Sequence, residues 1–394
     1  MPPFRLRPAK PRRPALRPIL EAPTGSVADA LTPGISPANP HFIERDPLRV
    51  VAIGGGTGLS TLLSGLKHYA RGVTAESASS QQHPQVDITA VVTVTDDGGS
   101  SGRLRRDFAI LPPGDIRNCM VALSEDEALL SRLFQYRFAS GRGLRGHSFG
   151  NLFLTAMHQI TGDFAHAVRE SSEILAIRGR IFPATDANVT LSARLVDGRE
   201  VTGESTISKS REPIQRVFLH PNRSKPLPET LKAIADADLI TLGPGSLFTS
   251  VIPNLLVSGI PRAIEASPAL KVYFANLMWQ PGETINLSAS RHVEAILRHA
   301  RGSKVIDWVV LNTAPIPDAL LRKYARQHVA PVENDVERLH QLGIQVVTAE
   351  LLGDSVLVRH HPHATAGVVV RLASRGRALR NRRLQLTNLR NKSR

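Results

Sequence analysis

Six short runs hold the residues whose types and spacing could do chemistry. The first, Gly54–Gly58, reads Gly-Gly-Gly-Thr-Gly. Glycines at such a place let backbone N–H groups approach an anion, and a following helix would aim its positive end at the same point. The run is neither a dinucleotide fingerprint, which needs glycine where this chain has Leu59, nor a P-loop, since no Lys-Ser/Thr follows. A tight turn that only closes helix on strand is the competing reading. Thr95–Arg103 (TDDGGSSGR) places Asp96 and Asp97 ahead of two glycines and two serines. Those carboxylates suit ribose or sugar hydroxyls, or a divalent metal at Asp97, and Ser100 can donate to phosphate oxygens. A solvated turn is the alternative.

Leu111–Asn118 (LPPGDIRN) offers Arg117 as a fork for phosphate or carboxylate, with Asp115 as an N-cap. An internal Asp115–Arg117 contact explains the same residues. Gly146–Asn151 (GHSFGN) brings His147, an acid/base candidate or a structural hydrogen-bonder, together with Ser148 and Asn151. Leu242–Ser250 (LGPGSLFTS) repeats the logic of the first loop with Gly243, Gly245 and Ser246, and Gln280–Thr284 (QPGET) forms one more loop. No Cys/His metal spacing occurs, and spacing alone assembles no nucleophile, base and orienter.

Strands must end at these loops. Leu48–Ile53 and Asp87–Thr95 are apolar, β-branched runs that stop at glycine or aspartate. After the first loop, Leu59, Leu62, Leu63 and Leu66 recur at helical spacing. Residues 118–178 read as helical, with Leu129, Leu133, Leu152, Leu154 and Val168 as apolar positions. Val189–Val196 and Val201–Ile207 flank Asp197-Gly198, a hairpin signal. Apolar runs at Leu239–Leu242, Lys271–Ala275 and Val305–Leu311 alternate with helical stretches. The pattern predicts a doubly wound α/β fold: a mainly parallel sheet with a helical insertion and a β-hairpin.

Charge sits at the ends. Residues 1–20 hold six Arg/Lys and no acid, residues 371–394 hold nine and no acid, and together they account for the net charge of +15. The body between them is neutral, so nucleic acid is not its expected partner. Eleven prolines in residues 1–47 argue against regular structure there. These features predict a disordered leader over 1–46, a ligand-binding domain over 47–368 and a basic tail over 369–394. Both ends should be dispensable for ligand binding. The single cysteine, Cys119, allows no intramolecular disulfide, and no apolar run reaches transmembrane length. A cytoplasmic location fits these features, with an Arg-rich transit peptide as the weaker alternative.

The ordered runs IGGGTGLS, TDDGGSSGRLR, LPPGDIRN, GHSFGNLF, LGPGSLFTS and QPGET resemble the YvcK-type gluconeogenesis factors, in one superfamily with the 2-phospho-L-lactate transferases (CofD). The resemblance covers roughly residues 48–365. It implies a Rossmann-like fold and a cytoplasmic bacterial regulator that binds a UDP-sugar and serves cell shape and wall synthesis during gluconeogenic growth. A protein partner in cell-wall precursor synthesis and a homo-oligomer belong to the same expectation. The CofD branch implies the alternative: transfer of a phospholactyl-type group from a nucleotide-activated donor, with magnesium. Carried over residue by residue, the implied ligand site is Gly55, Gly56, Thr57, Asp96, Asp97, Ser100, Arg117, Asn118, His147, Asn151, Gly243, Gly245 and Ser246. One departure stands out: where the family carries an aromatic after QPGET, this chain has Leu287. That removes a ring from the implied ligand contacts, unless Trp279 supplies one.

Overall fold

The apolar run at Leu48–Gly54 forms the inner strand β1, buried along nearly its whole length as a parallel strand covered on both faces must be. The computed structural model describes residues 46–70, 84–125 and 127–392, so the expected leader over 1–46 lies almost wholly outside the described residues. The strands that follow are β2 (Val86–Val92), β3 (Arg180–Pro183), β4 (Thr190–Leu195), β5 (Glu200–Thr202), β6 (Ile214–His220), β7 (Leu239–Leu242), β8 (Leu270–Phe274), β9 (Trp308–Asn312) and β10 (Gln345–Ala349). Seven of them make one sheet in the order β10-β9-β8-β7-β1-β2-β3, parallel throughout. A separate three-stranded antiparallel sheet has the order β5-β4-β6.

The strand order fixes where a ligand can go. From β1 the chain moves outward through β2 to β3, then returns to β7 on the other side of β1. The order reverses between β1 and β7, and in open α/β sheets the crevice at such a switch point is the binding place. Both Gly-rich loops follow these two strands.

Two expectations need correction. The second hairpin arm ends at Thr202 rather than Ile207: Gly203 has φ +96° and turns the chain into the helical turn Glu204–Ile207. That turn is held by Asp97, whose Oδ1 accepts from the Ser205 N–H at 2.8 Å. The helical stretch resolves into Gly114–Leu123, Glu127–Gln135, Phe149–Thr161 and Phe164–Ile174, with Leu154 and Val168 fully buried. Leu129 and Leu133, two further apolar positions of that stretch, are exposed.

The basic tail is also corrected. A single helix, Pro362–Lys392, crosses the expected boundary at residue 368. Its Val369, Leu372 and Ala373 are buried, and it packs along helix Gly56–Leu66 and strands β1, β7 and β8. Arg377 reaches the fully buried Asp238, donating from Nε at 3.2 Å and Nη2 at 2.5 Å, while Arg380 Nη1 lies 3.3 Å from Oδ1 of the same carboxylate. Arg377 Nη1 also donates to the Asp46 carbonyl at 2.7 Å, and Nη2 to that of Pro47. The charge that reads as a solvated end is, at these positions, a fastener.

Candidate functional site

Helix Gly56–Leu66 starts directly after β1, and its first residues open on a cavity of about 300 Å³. Gly55, Gly56 and Thr57 form one wall of this cavity, and Gly245 and Ser246, after β7, form the facing wall. Gly56 has φ +61°, a left-handed conformation that suits glycine. Gly58 is needed for another reason: a Cβ there would lie 2.5 Å from the Pro244 carbonyl oxygen, so its bare backbone lets the two loops touch. Gly243 stands behind the second loop, with φ +75° and its N–H donated to the Ile53 carbonyl at 2.9 Å.

A π-helical turn, Leu247–Val251, follows the second loop; such turns are rare and frequent at functional sites. Its amides are caught by the QPGET run. Glu283 accepts from the Phe248 N–H at 3.0 Å and the Thr249 hydroxyl at 2.9 Å. Gln280 donates to Ser246 Oγ at 2.8 Å. Asn254, from the same segment, donates to the Ser250 carbonyl at 2.8 Å and to that of Gly54 at 3.3 Å, tying the second loop to the end of β1.

The rest of the wall comes from distant segments. Trp279, Tyr324, Arg359 and His360 all line the cavity. Tyr324 Oη accepts from the Val358 N–H at 3.2 Å and so positions the Arg359 segment. Burial lowers His360 to about 4, so at neutral pH it offers an uncharged ring. Trp279 Nε1 donates to the Leu287 carbonyl at 3.2 Å, while Leu287 packs against the main core. The ring at this place is therefore Trp279.

The remaining predicted residues gather beside the cavity rather than in its wall. Arg117 Nη1 donates to Ser148 Oγ at 2.7 Å and Asn151 Oδ1 at 2.9 Å, and Nη2 donates to Asn118 Oδ1 at 2.8 Å. All these acceptors are neutral, and burial lowers the pKa of this guanidinium. Ser100 Oγ and His147 Nδ1 are 3.0 Å apart, and burial lowers His147. Among the described residues no carboxylate is hydrogen-bonded to that imidazole, so the pair lacks the orienting acid of a triad. Asn118 lines a neighbouring hollow of about 370 Å³ that shares Thr57, Thr61 and Arg359 with the main cavity.

Carboxylates crowd behind the first loop. Asp96 Oδ1 accepts from the Gly98 N–H at 2.8 Å. Asp115 accepts from the Gly56 N–H; it lies in the first turn of helix Gly114–Leu123, whose N-cap is Pro113 and not Asp115 as expected. Burial lifts Asp115 to about 6, with the Asp96 charge adding to the rise. Burial, then Asp96 and Asp115, push Glu204 up to about 9. Asp97 is committed to Ser205, and no group of three or more His, Cys, Asp or Glu side chains fit to hold a metal occurs among the described residues.

A raised carboxyl pKa means stability that is full below the unfolded value and lost as pH rises through the folded one. For Asp115 that loss falls between about pH 4 and 6. Asp115→Asn, which keeps an acceptor for the Gly56 N–H, should be more stable than the parent at pH 8 by up to about 3 kcal/mol and equal to it near pH 3. Urea unfolding of both proteins across this range checks it. A difference that does not change with pH rules out the buried charge as its cause.

Comparison with known proteins agrees with this architecture. The 2-phospho-L-lactate transferase CofD family matches residues 50–352. A gluconeogenesis factor of Bacillus subtilis is 48% identical over 325 residues, covering 82% of this chain and 98% of that protein. A gluconeogenesis factor of Halalkalibacterium halodurans is 50% identical over 299 residues, covering 76% and 88%. A crystal structure of a Bacillus halodurans protein matches with a TM-score of 0.76 and 46% identity, over 83% of this chain and 99% of that one. With its glycine loops at the β1/β7 switch point and these relatives, the chain belongs to the gluconeogenesis factors of the CofD family.

Proposed function

We propose that the cavity between the two Gly-rich loops binds a UDP-sugar, and that the protein is a cytoplasmic ligand-binding regulator serving cell shape and wall synthesis during gluconeogenic growth. One observation carries the reading: backbone from two glycine loops, a helix N-terminus, the Trp279 and Tyr324 rings and the Arg359 cation all meet in one hollow of about 300 Å³. Phosphates suit the loops and helix N-terminus, and a base suits the rings. The hollow is small beside usual ligand pockets, and the neighbouring hollow lined by Asn118, which shares Thr57, Thr61 and Arg359 with it, offers space for a sugar. A protein partner in cell-wall precursor synthesis and self-association complete the reading.

The transferase alternative receives less support. Asp96 and Asp97 each give one carboxylate oxygen to a backbone amide, and the Ser100–His147 pair has no orienting acid among the described residues. A thermal-shift screen of UDP-sugars, with magnesium and with chelator, tests the choice. At a hundred times the dissociation constant a ligand adds roughly 2.7 kcal/mol. The same shift with chelator as with magnesium is expected; a shift that needs magnesium favours the transferase.

A further expectation concerns the rings. Trp279→Ala should weaken UDP-sugar binding by about 2- to 12-fold, the equivalent of 0.5–1.5 kcal/mol of aromatic contact. Leu287→Tyr should bring no gain, because Leu287 faces the core and its carbonyl holds Trp279. Calorimetric titration of both variants with one UDP-sugar checks this. Tighter binding by Leu287→Tyr would show that the missing family aromatic, and not Trp279, belongs at the base.

A further inference from the structure

The outer side of the small antiparallel sheet carries a second recess, of about 710 Å³, which the proposed UDP-sugar site leaves without a role. Arg216 enters it from β6, and Arg298 and Arg301 enter it from the end of helix Ala289–His299. All three are exposed, and none forms a salt bridge to a carboxylate among the described residues. The acid lining the recess, Glu200, is already taken by Arg194. Arg301 holds φ +54°, a left-handed conformation uncommon outside glycine. Phe218, half-buried and two residues after Arg216 on β6, lines the same recess, with its ring edge-on to His220 at 5.1 Å.

The two sides of the recess are fixed to each other. Val217, between Arg216 and Phe218 on β6, donates its N–H to His299 Nε2 at 3.0 Å. His299 Nδ1 lies 2.7 Å from the Ala295 carbonyl, so it carries the proton there and Nε2 accepts. The strand bearing Arg216 is thereby pinned to the helix bearing Arg298 and Arg301. A helix C-terminus explains a cation at Arg298. It explains neither Arg216 on the facing strand nor the convergence of three uncompensated guanidiniums on one hollow.

We propose that this recess is a second ligand site, for a nucleoside di- or triphosphate: Arg216, Arg298 and Arg301 take the phosphates, and the face of Phe218 flanks the base. Guanidinium forks match phosphate oxygens, and an aromatic face suits any base. The volume lies within the range of small-molecule sites. An acidic protein segment would be expected on a flat basic stripe rather than in a hollow of this size.

Calorimetric titration of the full chain with ADP, pyrophosphate and adenosine tests it. ADP and pyrophosphate should bind and adenosine should not. Replacing Arg216, Arg298 and Arg301 together by alanine should weaken both at least tenfold; Arg216→Glu, an exposed change that leaves the core intact, should do the same alone. Phe218→Ala should weaken ADP and spare pyrophosphate. These residues share no wall with the first cavity, so UDP-sugar binding there should be unchanged in every variant; UDP-sugar binding that is lost with the arginines would place that ligand in the recess and overturn the reading of the first cavity instead. ADP binding that is indifferent to the arginines overturns the proposal, as does no binding at all. A Glu-rich peptide that binds and is lost with the arginines, where ADP does not bind, reassigns the recess to a protein partner.

Discussion

Asp238→Ala should lower stability by about 3–5 kcal/mol, the usual cost of leaving buried charge unpaired. Asp238 is fully buried and accepts from the Arg49 N–H at 2.9 Å as well as from Arg377 and Arg380. Burial alone would raise its pKa; the Arg377 hydrogen bonds and the Arg49 N–H outweigh burial and hold the carboxyl below its ordinary value. A lowered carboxyl pKa gives stability that is present above the unfolded value and lost as pH falls through the folded one. The penalty of Asp238→Ala should therefore be full at neutral pH and shrink below about pH 4. Arg377→Ala should cost a similar amount, and the pair Asp238→Leu with Arg377→Met should recover much of it. Urea unfolding with an unchanged slope is the measurement. Removing residues 372–394 should unfold the domain, against the dispensable tail that composition suggests. If Arg377→Ala costs less than about 1 kcal/mol, the helix is only loosely attached.

Gly58→Ala should weaken UDP-sugar binding by about 10- to 100-fold. The added Cβ meets the Pro244 carbonyl oxygen at 2.5 Å and Gly245 Cα at 2.8 Å, both backbone, so the second loop must move away from the first. Overpacking of this kind costs about 1–3 kcal/mol, and that displacement falls on the gap between the cavity walls. Comparing calorimetric affinity with melting temperature locates the effect. If stability falls and affinity does not, the loop contact supports the fold but does not shape the site.

Reading these predictions from sequence alone would have been possible only in part. β1 and its loop are legible because an apolar run and a glycine run adjoin each other, and both signals are local. β3 is four residues ending in proline, and β10 is a half-exposed edge strand, so neither shows the buried run that marks β1. The exposed Leu129 and Leu133 follow helical spacing without being core, since spacing reports a face and not what covers it. In the site, the glycines were legible for the same local reason. Tyr324 and Arg359 were hidden, because they belong to no glycine run and reach the cavity only through the fold. The buried Arg377 is the clearest lesson: in a row of arginines nothing distinguishes the one that meets Asp238.

The grip of Arg377 on the carbonyls of Asp46 and Pro47 joins positions 331 and 330 residues apart. A ribosome adding about 5–20 residues per second needs tens of seconds to cover that distance. The inner strand β1 is thus made early and fastened late. Over the last 139 residues of that interval Asp238 has been synthesised but its partner Arg377 has not, so the nascent chain cannot close its core and must be kept from aggregating until the helix Pro362–Lys392 leaves the exit tunnel. A message truncated anywhere before codon 377 should therefore yield a protein that is degraded rather than one that is merely shorter.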